Sequence, residues 1–170
     1  IIVTGLIGGA MSGVLFSVIH ALPAWIIVRQ GLLKLPAADG KTEEWYPVGS
    51  ILCILSVFCT GLLTVAMFWS LGEDGGLHDI VQSYLGLVFA YMMPTMDEVV
   101  RGDLVQTISP LFPGYMGTAW VVMAVVNASI AAAILTRAKR FKRPKSKLAD
   151  LSLPDWMSWF LIAAAVMALL

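Results

Sequence analysis

Apolar residues run almost without interruption from Ile1 to Leu33. That run is too long for one upright membrane span of ~20 residues. Pro23 falls where a helix would kink or restart. Two arrangements fit: a span over about 1–20 followed by a short helix over about 22–33, or one long kinked helix. Lys34 to Gly49 is the first polar stretch, and Leu35-Pro36-Ala37-Ala38-Asp39-Gly40 within it carries turn chemistry. Trp45-Tyr46-Pro47 then has the character of an interfacial anchor. A second span is expected over about 50–71, closed by Trp69. The loop Gly72-Glu73-Asp74-Gly75-Gly76 leads to a mostly apolar segment over about 77–93, with His78, Asp79, Gln82 and Ser83 clustered at its start. This segment fits either a short span or a helix lying in the interface.

Thr95-Met96-Asp97-Glu98 has the form of a capping box, with Thr95 as N-cap and Glu98 three residues on. The helix it opens, over about 95–109, places Met96, Val99, Val100, Leu104 and Ile108 on one stripe. Asp97, Glu98, Arg101 and Asp103 lie away from that stripe, which makes the helix amphipathic and suited to a membrane surface. Pro110 and Pro113 end it. A third span is expected over about 114–136. Ser152-Leu153-Pro154-Asp155 opens a last apolar helix over about 153–170, with Ser152 as its cap and Trp156 and Trp159 at its interface end. The expected fold is all-α: a polytopic transmembrane helical protein with interfacial amphipathic helices, forming a single membrane domain over 1–170. Because the chain starts at Ile1 and stops inside an apolar run, it is expected to be a fragment of a longer protein.

Composition narrows the class. Hydrophobic residues make up 59% of the chain and charged ones 13%, with a mean hydropathy of +0.85. Soluble domains carry about 25% charged residues, so a soluble domain, a disordered chain and a disulfide scaffold are excluded. Net charge is zero, but its distribution is lopsided. Arg137, Lys139, Arg140, Lys142, Arg143, Lys145 and Lys147 crowd into one loop over about 137–150. Cations beside spans mark the cytoplasmic side, and this loop has the form of a topogenic segment rather than a nucleic-acid site. With that loop inside, the third span runs inward and the 95–109 helix lies outside. If 77–93 does not cross, the 34–49 loop is also cytoplasmic, in agreement with Arg29, Lys34 and Lys41.

Few residues carry candidate chemistry. Gly5, Gly9, Gly13 and Ser17 recur every four positions, the pattern that lets helix backbones approach closely. Cys53, Ser56, Thr60 and Thr64 form a weakly polar stripe, suited to packing or to lining a polar cavity. Asn127 is the most polar residue inside an expected span, and it fits an interhelical hydrogen bond or a ligand contact. His20 lies near the break at Pro23, where opened backbone can line a cavity. The candidate lining residues are therefore His20, Thr60, Thr64 and Asn127. Cys53 and Cys59, six residues apart on one helix, are too far apart to bridge and are expected to be free thiols. No metal-ligand spacing, nucleophile elbow, phosphate loop or dinucleotide fingerprint is present, so no cofactor, metal or enzymatic activity is expected.

Leu22-Pro23-Ala24-Trp25 through Val28-Arg29-Gln30, with Ala38-Asp39-Gly40 and Glu44-Trp45-Tyr46-Pro47, form one distinctive set. Ala119-Trp120 through Asn127, the basic loop and Leu153-Pro154-Asp155-Trp156 form another. Together they resemble the YybS-like family of uncharacterised bacterial polytopic inner-membrane proteins, over most of the chain. That family is distantly similar to the substrate-binding membrane subunits of energy-coupling-factor transporters. The resemblance implies a multi-pass protein of the bacterial inner membrane with a transport-related, small-molecule-binding role, and it carries no catalytic residues. The alternative is a non-catalytic structural or assembly subunit of a larger membrane complex. The expected partners are the lipid bilayer, other membrane subunits and a small-molecule substrate, with no nucleic acid.

Overall fold

The computed structural model describes residues 2–36, 41–72, 75–144 and 151–169. The described chain is almost entirely helical. In chain order the elements are α1 (Ile2–Phe16), a π-helical turn (Ser17–Ala21), α2 (Leu22–Gly31), β1 (Lys34–Pro36), β2 (Glu43–Trp45), α3 (Val48–Ser70), α4 (Gly76–Met92), α5 (Glu98–Ile108), α6 (Phe112–Arg137) and α7 (Asp155–Leu169). Among the described residues, three stretches are long and apolar enough to cross a bilayer: Gly8–Gly31, Val48–Ser70 and Phe112–Arg137. The protein is an all-α integral membrane protein. A shorter apolar helix covers Asp155–Val166.

The first apolar run is one continuous helical rod from Ala10 to Gly31 with a widened turn, not a helix that stops near residue 20. Its sharp break is at Gly9, where φ is 79° and ψ is 170°. Only glycine occupies that region without strain. Pro23 sits in the first turn of α2, and the π turn lies immediately before it. Leu22 N–H donates to the Ser17 carbonyl, five residues back. A proline ring clashes with the carbonyl four residues earlier in a regular helix, and the wider turn relieves that clash while keeping the rod whole.

Among the described residues, two short strands stand between the helices. β1 and β2 pair antiparallel in the register Lys34↔Trp45, Leu35↔Glu44 and Pro36↔Glu43. Lys34 Nζ lies 3.0 Å from Glu43 Oε2 and 5.4 Å from the centre of the Trp45 ring. The Ala38-Asp39-Gly40 turn falls outside the described residues. Three-residue strands show no alternation that a sequence pattern could reveal.

The cap of α5 differs from the expected box. Asp97, not Thr95, is the N-cap: its Oδ1 accepts from Val99 N–H at 2.9 Å and Val100 N–H at 3.4 Å. Asp is a stronger N-cap than Thr, and Pro94, Thr95 and Met96 are spent in the preceding turn. Glu98 thus becomes the first helical residue. The expected apolar stripe is also redistributed. Val105, together with half-buried Ile108, packs against Leu77, Val81, Leu85 and Phe89 of α4, whereas Val99 and Val100 stay exposed. At the last helix, the chain becomes helical at Asp155, and Met157 N–H donates to the Pro154 carbonyl.

Residues 1–55 with 123–170, and residues 56–122, form two groupings. In the first, Gly49 at the start of α3 lies against the backbone just before α7, and a Cβ there would run into the Ser152 carbonyl oxygen. In the second, α3 meets α6 where Gly117 faces Cys59 and Leu63, beside the Phe58–Trp120 ring pair at 6.1 Å. Gly61 faces open space. We therefore expect Gly49→Ala to destabilise the protein by about 1–3 kcal/mol, the scale of overpacking. Gly61→Ala should leave it within about 0.5 kcal/mol. Thermal unfolding in detergent micelles checks this, and equal midpoints for the two variants would refute the close contact at Ser152.

Candidate functional site

The four candidate lining residues all lie on helices, and all four are exposed. His20 belongs to the π turn, and its ring stands 5.0 Å from that of Phe16. Thr60 Oγ1 donates to the Ser56 carbonyl at 2.9 Å, and Thr64 Oγ1 to the Thr60 carbonyl at 2.8 Å. Both hydroxyls are therefore satisfied by their own helix, as Ser and Thr often are within membrane helices. Cys53, at the head of that stripe, is buried, Ser56 is half-buried, and the two threonines face outward. Asn127, near the middle of α6, forms no hydrogen bond with any described residue. It stands among exposed Met123, Val126 and Ile130.

The four-residue spacing of Gly5, Gly9, Gly13 and Ser17 does not produce one helix face. The backbone leaves the helix at Gly9, so Gly5 and Gly13 lie on either side of a break. Beyond it Gly13 is buried, and Ser17 Oγ donates to the Gly13 carbonyl at 2.7 Å.

The basic segment contains the longest-range polar contact of the described chain. α6 ends in a Schellman motif: Lys139 N–H donates to Thr136 O, and Arg140 N–H to Leu135 O. Lys139 takes the left-handed position at φ 54°, where glycine is usual. The chain then turns back, and Arg143 reaches two backbone carbonyls, Tyr46 at 2.9 Å and Gly31 at 3.4 Å. Gly31 is the last residue of α2, so its carbonyl is one that the helix cannot satisfy itself. A guanidinium there also meets the negative end of the helix dipole. Partial burial pulls Arg143 below the usual guanidinium range, yet a guanidinium stays charged at physiological pH. Next to this clamp, the side-chain oxygen of Gln30 is buried without a hydrogen-bond partner among the described residues. Arg137, Lys139 and Arg140 are exposed, and Lys145 and Lys147 lie outside the described residues.

Sequence reasoning placed Arg143 among seven topogenic cations and did not single it out. Its partners are main-chain carbonyls, a group every residue carries, so no signal in the sequence could have found them.

A smaller polar cluster joins α4 to the end of α5. Gln82 Nε2 lies 3.0 Å from His78 Nε2 and 3.5 Å from Ser109 Oγ, and Ser109 is buried. Cys53 and Cys59 are free thiols. Among the described residues, no three His, Cys, Asp or Glu side chains gather as a metal site would require. No family model matches the chain, and neither a curated protein nor a solved structure shows significant similarity to it.

Loss of the clamp should be measurable. Hydrogen bonds from a charged donor contribute about 1.5–3 kcal/mol each, and the longer of these two falls at the weak end. Arg143→Ala should therefore lower stability by about 2 kcal/mol and speed proteolysis within 138–147, while Arg140→Ala changes neither. Thermal unfolding and limited trypsin digestion in micelles are the measurements. Equal behaviour of the two variants would show that Arg143 is only another surface cation.

Proposed function

We propose that this integral membrane protein is a non-catalytic subunit of a larger membrane assembly, and that α6 is the helix that meets its partner. The observation that supports this is Asn127. A carboxamide placed in hydrocarbon without a partner costs several kcal/mol. Hydroxyls such as those of Thr60, Thr64, Thr118, Ser129 and Thr136 avoid that cost by bonding their own helix, but the Asn127 amide bonds nothing described. No residue of α6 is fully buried within the chain, and the face that carries Asn127 with Met123, Val126 and Ile130 is exposed and open to another protein. One interhelical amide bond contributes about 0.6 kcal/mol, up to about 1–2. This is enough to select a partner face when apolar neighbours pack around it.

A second reading has its own support. The first span is interrupted twice, at Gly9 and at the π turn that carries His20. Single π turns concentrate at functional sites, and broken helices are how many transporters expose backbone to substrate. This favours a transport-related subunit that binds a small molecule beside His20. On the resemblance to YybS-like proteins, both readings place the protein in the bacterial inner membrane.

Native mass spectrometry of the full-length protein, gently released from its own membrane, separates the two. The assembly reading expects a stoichiometric protein partner that Asn127→Leu releases and Asn127→Gln retains, with the thermal midpoint of the isolated chain unchanged. A small molecule of defined mass, retained by the native chain and lost in His20→Ala, would instead establish the transport reading. Partner binding that survives Asn127→Leu would overturn the role given to α6.

A further inference from the structure

We propose that α4 does not cross the membrane, and that α4 and α5 form a hairpin seated in the bilayer interface through Ile80, Tyr84, Leu87 and Tyr91. The argument begins at the Arg143 clamp. Its contacts hold residues 31, 46 and 143 together, so all three lie on one side of the membrane. α3 starts just after residue 46 and α6 ends just before residue 143, and each is long enough to cross once. For both to end on the clamp side, the chain from 71 to 111 must cross an even number of times. At ~1.5 Å per residue, α5 extends only about 16 Å, and the hydrocarbon core is about 30 Å thick. α5 cannot cross, so a single crossing by α4 is excluded.

The surface of α4 agrees. Val81 and Leu85 face α5 and are buried. Ile80, Tyr84, Leu87 and Tyr91 follow a spacing of four, three and four, which sets them on one separate face. They are 48, 57, 73 and 89% exposed. Asp79 and Ser83 occupy the remaining polar arc. The tethers decide what covers the apolar face. Few residues separate Ser70 from Gly76, and Ile108 from Phe112. The hairpin is therefore held against the bilayer at both ends. Tyrosines suit that depth, with the ring in the acyl boundary and the hydroxyl among headgroups. Asp79, Asp97, Glu98 and Asp103 outnumber Arg101, so apolar insertion rather than attraction to anionic lipid seats the hairpin.

The test uses variants of the full chain that each add one cysteine to the native Cys53 and Cys59, in phosphatidylcholine vesicles at high dilution, labelled with a membrane-impermeant maleimide. The unsubstituted protein is the blank, since Cys53 and Cys59 lie inside a span. Asp103→Cys is expected to label in the fraction complementary to Lys139→Cys, because the two positions lie on opposite sides. Labelling from the same side would overturn the non-crossing assignment. Leu87→Cys should react at least tenfold more slowly than Ser83→Cys, and Tyr91→Cys repeats this comparison if Leu87→Cys does not fold. Equal rates would overturn lipid seating. Protection found only in the native membrane, and not in vesicles, would overturn it in favour of a protein cover.

Discussion

The absence of water from the hydrocarbon core governs this structure. A polar group there must find its partner within the protein or bear the cost of desolvation. The hydroxyls of Ser12, Ser17, Thr60, Thr64, Thr118, Ser129 and Thr136 all donate to the carbonyl four residues earlier, at 2.7–2.9 Å. These seven side chains are thus absorbed by their own helices and can lie along lipid or protein alike. Asn127 is different in kind. Its amide carries two donors and an acceptor, more than one helix satisfies locally. The same constraint that makes the hydroxyls chemically quiet makes this one side chain the most informative on α6.

Outside the core the constraint is connectivity. Gly31 ends a helix, Tyr46 follows a hairpin, and both leave carbonyls in need of donors. Arg143 supplies them from a segment 112 and 97 residues away. Its planar fork can serve two carbonyls at once, which a lysine ammonium would do with less geometric definition. A single side chain therefore ties the exit of the first span to the exit of α6. Once those exits share a side, the number of crossings between them is settled by parity and by helix length.

The apolar runs alone were enough to assign the class and most of the helices, because a span must be long and apolar whatever surrounds it. That α5 is a helix was visible because a helix period repeats over several turns, but the face it buries, around Val105, is not the stripe its sequence suggested. Finer features were less legible. Thr95 and Asp97 are both good N-caps, and which of them begins α5 depends on how many residues the turn after Pro94 consumes. The spacing of Gly5, Gly9, Gly13 and Ser17 implied one face only on the assumption of a regular helix, and the backbone departs from it at Gly9.

By itself, then, the sequence determined that the chain enters a membrane, where its helices lie, and which loop concentrates positive charge. These follow from local hydropathy and periodicity, which neighbouring residues decide together. Only the tertiary structure decided that Thr60 and Thr64 are satisfied within their helix, that Asn127 is not, and that Arg143, rather than Arg137, Lys139 or Arg140, reaches across to distant carbonyls. Those outcomes depend on which groups stand within about 3 Å of one another. Such proximity between residues a hundred positions apart leaves no mark on the order of the amino acids.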